Sequence, residues 1–131
     1  MFKAVFTVLC LASVAPILCL AQGYSYEPAV VSLHGTLVQK RGEEPNGKMI
    51  TFTALKLDRP ITVQGTPGDD MDVTESDIRE LHIIAVDRKV EAQIRRLKGR
   101  RVLITGGLMH SHTGHHHTTV LVLPKSVQSE S

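Results

Sequence analysis

The chain has 131 residues, 42% hydrophobic and 21% charged, a balance that excludes a mainly disordered polymer and fits one small globular domain. Aromatic residues make up only 4% and Trp is absent, so the core has to be assembled from Val, Ile, Leu and Thr, which favours β-structure. With 15 basic and 13 acidic residues, the net charge of +2 gives no general attraction to nucleic acid or to an anionic membrane.

Lys3 precedes an apolar run from Ala4 to Leu20, which ends in Cys19-Leu20-Ala21, small residues where a signal peptidase reads. This predicts a signal peptide over 1–21, cleaved after Ala21, and a periplasmic or secreted product. Pro16 within the run and the polar Gln22-Gly23 behind it argue against a membrane span. Both cysteines, Cys10 and Cys19, fall in this segment, so the exported product is expected to lack disulfides, cysteine nucleophiles and thiolate metal sites.

Residues 22–29 form a polar, Tyr-containing lead-in to a domain expected over 30–124. From Val30 to Val38 the apolar Val31, Leu33 and Leu37 alternate with Ser32, His34 and Thr36, the period of a half-buried strand. Lys40 to Lys48 is dense in turn formers and ends in Asn46-Gly47. A second strand follows over Met49–Leu57; Asp58-Arg59-Pro60 bends it, and Ile61-Thr62-Val63 continues it as an edge. Gly65 to Asp72 reads as an acidic loop, and Thr74-Glu75-Ser76-Asp77 as the cap of a short helical turn before a third strand over Leu81–Val86. Val90, Ile94 and Leu97 then recur at helical spacing, predicting an amphipathic helix over about Arg88–Leu97, capped by Asp87 and ended by Gly99. Two last strands, Arg101–His112 and His115–Leu123, are read as joined by Thr113-Gly114, with a flexible tail over 125–131. Five strands with one helix between the third and fourth describe a mainly β, small OB-like Greek-key barrel. In that architecture ligands meet the loops after strand one and between strands four and five, here Lys40–Lys48 and Thr113-Gly114.

The second of those loops carries the sharpest chemical signal of the chain. Five of the seven histidines lie in His110-Ser111-His112-Thr113-Gly114-His115-His116-His117. If Thr113-Gly114 is a two-residue turn, His112 faces His115 and His110 faces His117. Alternation then puts these four imidazoles on one side and His116 on the other. Imidazole suits zinc and copper, and a quartet at cross-strand spacing can converge on one ion. The competing reading is architectural: the same histidines close the barrel mouth, hydrogen-bonded to Thr118, Thr119 or backbone.

The stretch Gly107-Leu108-Met109-His110-Ser111-His112-Thr113-Gly114-His115-His116-His117-Thr118, with Val120-Leu121-Val122 after it, resembles the exported bacterial domain-of-unknown-function family 4431. So do Leu55 to Val63, and Tyr26-Glu27-Pro28 leading into Val31-Ser32-Leu33-His34-Gly35. The resemblance implies export and a small β-domain, and implies no activity. The connection after the first strand departs from the family, being short here.

Seven basic residues between Arg88 and Arg101 raise nucleic acid as a partner, but the barrel strands offer only Phe52 for stacking bases, and export removes such partners. For an enzyme there is no serine elbow, and the acidic residues Asp69, Asp70, Asp72, Glu75 and Asp77 lack calcium-loop spacing. A His-ligated zinc enzyme would need one hairpin histidine left free and a general base such as His34, Glu43 or Glu44. The expectation is therefore a non-catalytic, exported binding module. It would present the histidine hairpin to a ligand, an envelope polymer or a periplasmic protein, as an inhibitor or immunity-type protein does. His116, Arg95, Arg96, Lys40 and Arg41 are the candidate partner contacts. A zinc or copper protein using His110, His112, His115 and His117 is the alternative.

Overall fold

A computed structural model describes residues 23–130. The expected signal peptide lies outside the described residues. The strands are β1 (Tyr24–Ser25), β2 (Val31–Glu43), β3 (Met49–Gln64), β4 (Glu75–Ile83), β5 (Arg101–His110) and β6 (Val120–Ser129), with helix α1 (Arg88–Arg96) between β4 and β5. The sheet runs β1-β3-β2-β5-β6-β4 and closes through a further β3–β4 pairing. Strands β2 to β6 thus form a closed five-stranded barrel with one helix, the OB-like architecture that the element order predicts. All neighbours in the barrel are antiparallel except β4 and β6, which run parallel.

The barrel is filled by the alternating residues of each strand. Leu33, Leu37, Leu55, Leu81, Val102, Ile104, Leu108, Val120 and Val122 are each at most 1% exposed. Val90 and Ile94 close one end from α1. The helix begins where the sequence places it: the Asp87 carboxylate accepts from the N–H groups of Lys89 (2.7 Å) and Val90 (3.3 Å). It ends at Leu97, and Gly99 follows with φ 79°, a conformation a side chain would resist. Among the described residues no helix is long and apolar enough to cross a membrane.

Four features differ from the sequence reading. Strand β2 runs on to Glu43, so the first connection is a tight turn instead of a long loop, closed by Glu44 N–H to Lys48 O (2.8 Å) and Gly47 N–H to Glu44 O (2.8 Å). The polar stretch Lys40–Glu43 lacks apolar alternation because it stands in a projecting hairpin, where neither face has a full core to meet. Strand β3 passes through its bend without ending: it advances from Lys56 to Ile61 while β4 moves only from Glu80 to Ile78, a bulge that absorbs Pro60, which has no N–H for the ladder. Thr74 caps no helix; its hydroxyl accepts from Gly65 N–H (2.9 Å), and Glu75 opens β4 directly.

The fourth difference is at the C-terminus. Residues 125–129 belong to β6, with Ile104 opposite Val127 and Val102 opposite Ser129. A register shift at Thr105/Gly106 lets the ladder pass Pro124, and Gly106 permits it: a Cβ there would lie 2.2 Å from the Leu123 carbonyl oxygen. A single apolar residue, Val127, marks this stretch in the sequence, which is too little for a periodic signal. Truncation after Pro124 removes that buried valine and the end of the β5 ladder. It is expected to cost several kcal/mol, on the order of one buried valine plus its ladder hydrogen bonds. Urea unfolding of the truncated and full chains checks this; equal midpoints would mean that the strand end contributes nothing.

Candidate functional site

Strand β4 stops at Ile83, its last pairing with β3 being Ala54 with His82. The β2–β3 hairpin therefore projects beyond the barrel, carried by β2–β3 pairs as far as Glu43 with Met49. The loop from Ser111 to Thr119 folds back against this projection, and the contact between the two is the candidate site.

Residues directly opposite in a sheet share a face. Ala54, His82 and Leu121 lie in one row across β3, β4 and β6, on the face opposite the one that holds Leu55 and Leu81. Ala54 and Leu121 are nonetheless fully buried, and they stand apart from the main core cluster. Three aromatic rings gather beside them. Phe52 packs on His82 with centroids 4.6 Å apart and stacks on His117 at 4.9 Å and 23°, while the two imidazoles lie 5.4 Å from each other. The His117 ring rests on Gly42, where a Cβ would come within 2.6 Å of Nδ1. Backbone bonds hold it in place: His117 N–H donates to His82 Nδ1 (3.3 Å), and His82 N–H donates to the Thr118 hydroxyl (2.7 Å).

Glu44 joins the two loops electrostatically. Its Oε1 lies 3.2 Å from His115 Nδ1 and its Oε2 lies 3.2 Å from His117 Nε2. The His117 side chain is 8% exposed, and Nε2 and Oε2 are both buried but not aligned for a hydrogen bond, so their attraction is Coulombic. Interaction with His115 first, opposed by burial and reinforced by His117, holds the Glu44 carboxyl below the usual glutamate value. Pro45 completes the contact against Gly114, where a Cβ would sit 2.7 Å from Pro45 Cγ. His82 is the most perturbed imidazole: burial, followed by the neighbouring His117 and His116, pushes its pKa down to about 4, which keeps it neutral and able to accept from His117 N–H.

The expected histidine quartet does not form. His110 pairs with Val120 and Ser111 N–H donates to Thr119 O, so the connection is a nine-residue loop from Ser111 to Thr119 and no two-residue turn exists at Thr113-Gly114. The register is displaced by three residues from the one that would set His110 against His117 and His112 against His115. Two causes are local. Thr113 suits the first position of a type I′ turn poorly, and its carbonyl and hydroxyl instead accept from the N–H groups of His116 (3.1 Å) and His115 (3.2 Å). The five histidines are then divided among three sets of contacts. His110 places Nδ1 2.8 Å from the Ser111 carbonyl and Nε2 3.1 Å from Glu75. Partial burial opposes its charge, but these acceptors prevail and its pKa is raised. His112 N–H donates to His116 Nδ1 (3.1 Å), with the rings edge to face at 4.8 Å, whereas His115 and His117 turn to Glu44. His116 is lowered by burial, then by His112, His115 and His117. Among the described residues no group of three or more His, Asp or Glu side chains is arranged to hold a metal ion. His110 has both nitrogens engaged, and the four histidines do not converge.

The remaining candidates are dispersed. Lys40 is paired with Glu80 (3.1 Å) on the hairpin stem, Arg41 is exposed on β2, and Arg95 is held by Glu91 (3.3 Å) on α1, with Arg96 exposed beside it. The residues that build the loop contact beside His115 and His117 are Gly42, Glu44, Phe52 and His82. Only His82 left a usable trace, a lone polar residue inside Leu81-His82-Ile83-Ile84.

A closed OB-like barrel with its first hairpin and its last loop locked together is the class of protein that the fold and the site define. Residues 80–123 match the family described as Domain of unknown function (DUF4431), which bears out for this third of the chain the resemblance read from its residues. The matched stretch runs from β4 through α1 and β5 into β6 and includes the histidine loop. Among solved structures the chain is similar to the Plasmodium falciparum SSB complex with ssDNA, at 16% identity and a TM-score of 0.39, over 76% of this chain and 90% of that one. No curated protein matches the chain.

Two predictions follow from the loop contact. Gly42→Ala forces the His117 ring off its seat, at an expected cost of about 1–3 kcal/mol, the range for overpacking a close contact. Thermal unfolding, together with loss of the shifted His117 ring resonances by NMR, reads this out. His82 has a folded pKa below its ordinary 6.5, so the unfolded chain binds the extra proton between about pH 6.5 and 4. Stability is expected to fall as pH drops through that window, and His82→Gln should flatten the slope. Urea unfolding at pH 7, 5.5 and 4.5 measures it; an unchanged slope in the variant would assign the acid sensitivity to other groups.

Proposed function

We propose that the protein is an exported, non-catalytic binding module that engages a protein partner through the surface made by the 44–48 turn and the 111–119 loop. The single observation that carries this reading is the contact of Glu44 with His115 and His117, which converts two loops into one fixed surface at the position where OB-like barrels bind their ligands. Two further contacts, Pro45 on Gly114 and His117 on Gly42, remove the freedom a nine-residue loop would otherwise have. Binding through a prearranged surface loses less conformational entropy than binding through a mobile one. His112, Thr113, Gly114 and His115 stay exposed at its tip, and these are the residues offered to a partner. Imidazoles give such a tip both hydrogen-bond donors and acceptors near neutral pH. An inhibitor or immunity-type role belongs to this reading, because a rigid protrusion can fill another protein's cleft without chemistry of its own.

The test compares wild type with a His112→Ala/His115→Ala double variant. The untagged protein is chemically cross-linked in envelope extracts, and the cross-linked species are identified by mass spectrometry. One dominant protein partner, lost at least ten-fold in the variant while the unfolding midpoint stays within a few degrees, is the expected result. A partner retained equally by both chains would move the interface away from this loop. The expected export is checked by N-terminal sequencing of the secreted product, which should begin at Gln22.

A further inference from the structure

The hairpin that carries Glu44 also leaves a strand edge open on its other side. Leu37 N–H donates to Arg100 O (3.0 Å) and Leu37 O accepts from Gly99 N–H (2.9 Å), so the backbone groups of Leu37 point towards β5. Backbone direction alternates along a strand, so Val38, Lys40 and Gly42 point towards β3, and their partners Ala54, Phe52 and Ile50 point back at them. Glu44 N–H bonding to Lys48 O at the turn follows the same parity. Met49, Thr51 and Thr53 therefore aim their backbone groups the other way, to the side where β4 has already ended. Thr51 sits beyond the last β3–β4 pair, at the middle of this edge.

A groove of about 550 Å³ lies along it. Its two sides differ. The half-buried Ile50 and the rims of the buried Phe52 and His82 rings line one part of it, while Arg95 and Lys98 of the α1 region line another, with only Glu91 as an acidic neighbour in the lining. Glu91 is already occupied by Arg95 (3.3 Å), which leaves the Lys98 charge to a ligand.

We propose that the β3 edge at Met49–Thr53 receives an extended strand from a partner protein, with apolar residues alternating with acidic ones. Main-chain hydrogen bonds to Thr51 supply the pairing. Because side chains of an added strand alternate, one set falls beside Ile50 and the rim of the Phe52 ring, and the other meets Arg95 and Lys98. This surface is separate from the histidine loop tip and does not depend on that loop binding anything.

The experiment uses two fluorescein-labelled octapeptides, one alternating Asp and Val, the other alternating Lys and Val. Their binding to the purified full chain is followed by fluorescence polarisation at low salt. The acidic peptide is expected to bind at least ten-fold more tightly than the basic one. Thr51→Pro removes the outward N–H but no bond of the β2–β3 ladder, and should weaken the acidic peptide at least ten-fold with an unchanged unfolding midpoint. An Arg95→Glu/Lys98→Glu variant should reverse the charge preference, and it tests the proposal even if Thr51→Pro fails to fold. Equal affinity for both peptides, or acidic binding untouched by either variant, overturns the proposal. So does a dimer in sedimentation velocity that Thr51→Pro abolishes, since the edge would then belong to a second copy of the chain.

Discussion

The unequal lengths of β3 and β4 govern most of what is particular about this barrel. β4 ends at Ile83 and the chain turns away into α1, while β3 has begun five residues upstream of its last β4 partner, at Met49. The hairpin of β2 and β3 consequently leaves the barrel with one neighbour instead of two. A two-stranded ribbon in water is marginally stable alone, so the projection needs cover. The 111–119 loop provides it on one face, and the open edge of β3 is what remains.

The cover is made of imidazoles and not of leucines, and this has consequences. An apolar lid over Phe52 would stabilise by burial alone. His117 and His82 bury ring surface as well but retain nitrogen atoms, and those nitrogens position the chain: His82 Nδ1 accepts the His117 N–H, while His117 Nε2 faces Glu44. Such an arrangement is directional, fixing which loop residue lands on Gly42. It is also bound to proton concentration in two senses. The lowered pKa of His82 and Glu44 makes this contact favour higher pH, whereas the raised pKa of His110, held by Ser111 and Glu75 at the foot of the same loop, favours lower pH. The loop is tethered at its two ends by groups that respond oppositely to acid.

Fixing the loop also keeps its imidazoles apart. Imidazoles that converge can hold a metal ion; those of this loop are drawn to different sides by their neighbours. Here Glu75, Glu44 and the pairing of His112 with His116 divide the cluster among three partners. The Glu44 and Glu75 carboxylates serve as tethers that hold the loop to the β2–β3 hairpin and to the start of β4.

By itself the sequence determined the class of fold. Alternation in Val31–Leu37 and Met49–Leu57, the Asp87-capped helical spacing of Val90 and Ile94, and the order of these elements specify an OB-like barrel, because periodicity reports which residues face a core. The histidine loop was legible as well, as a dense cluster of one rare side chain in the last connection of the barrel. Tertiary structure decided how that loop is arranged. Register is a property of two strands and the turn between them, so a displacement of three residues between β5 and β6 dissolves the quartet although the histidine spacing itself is unchanged. Likewise Gly42, Glu44 and Phe52 lie more than sixty residues from His117 in sequence, and nothing local in any of them announces the contact. Residues 125–129 teach the same lesson: they are a strand because β5 offers them an edge and Gly106 lets Pro124 pass, not because five mostly polar residues prefer to be one.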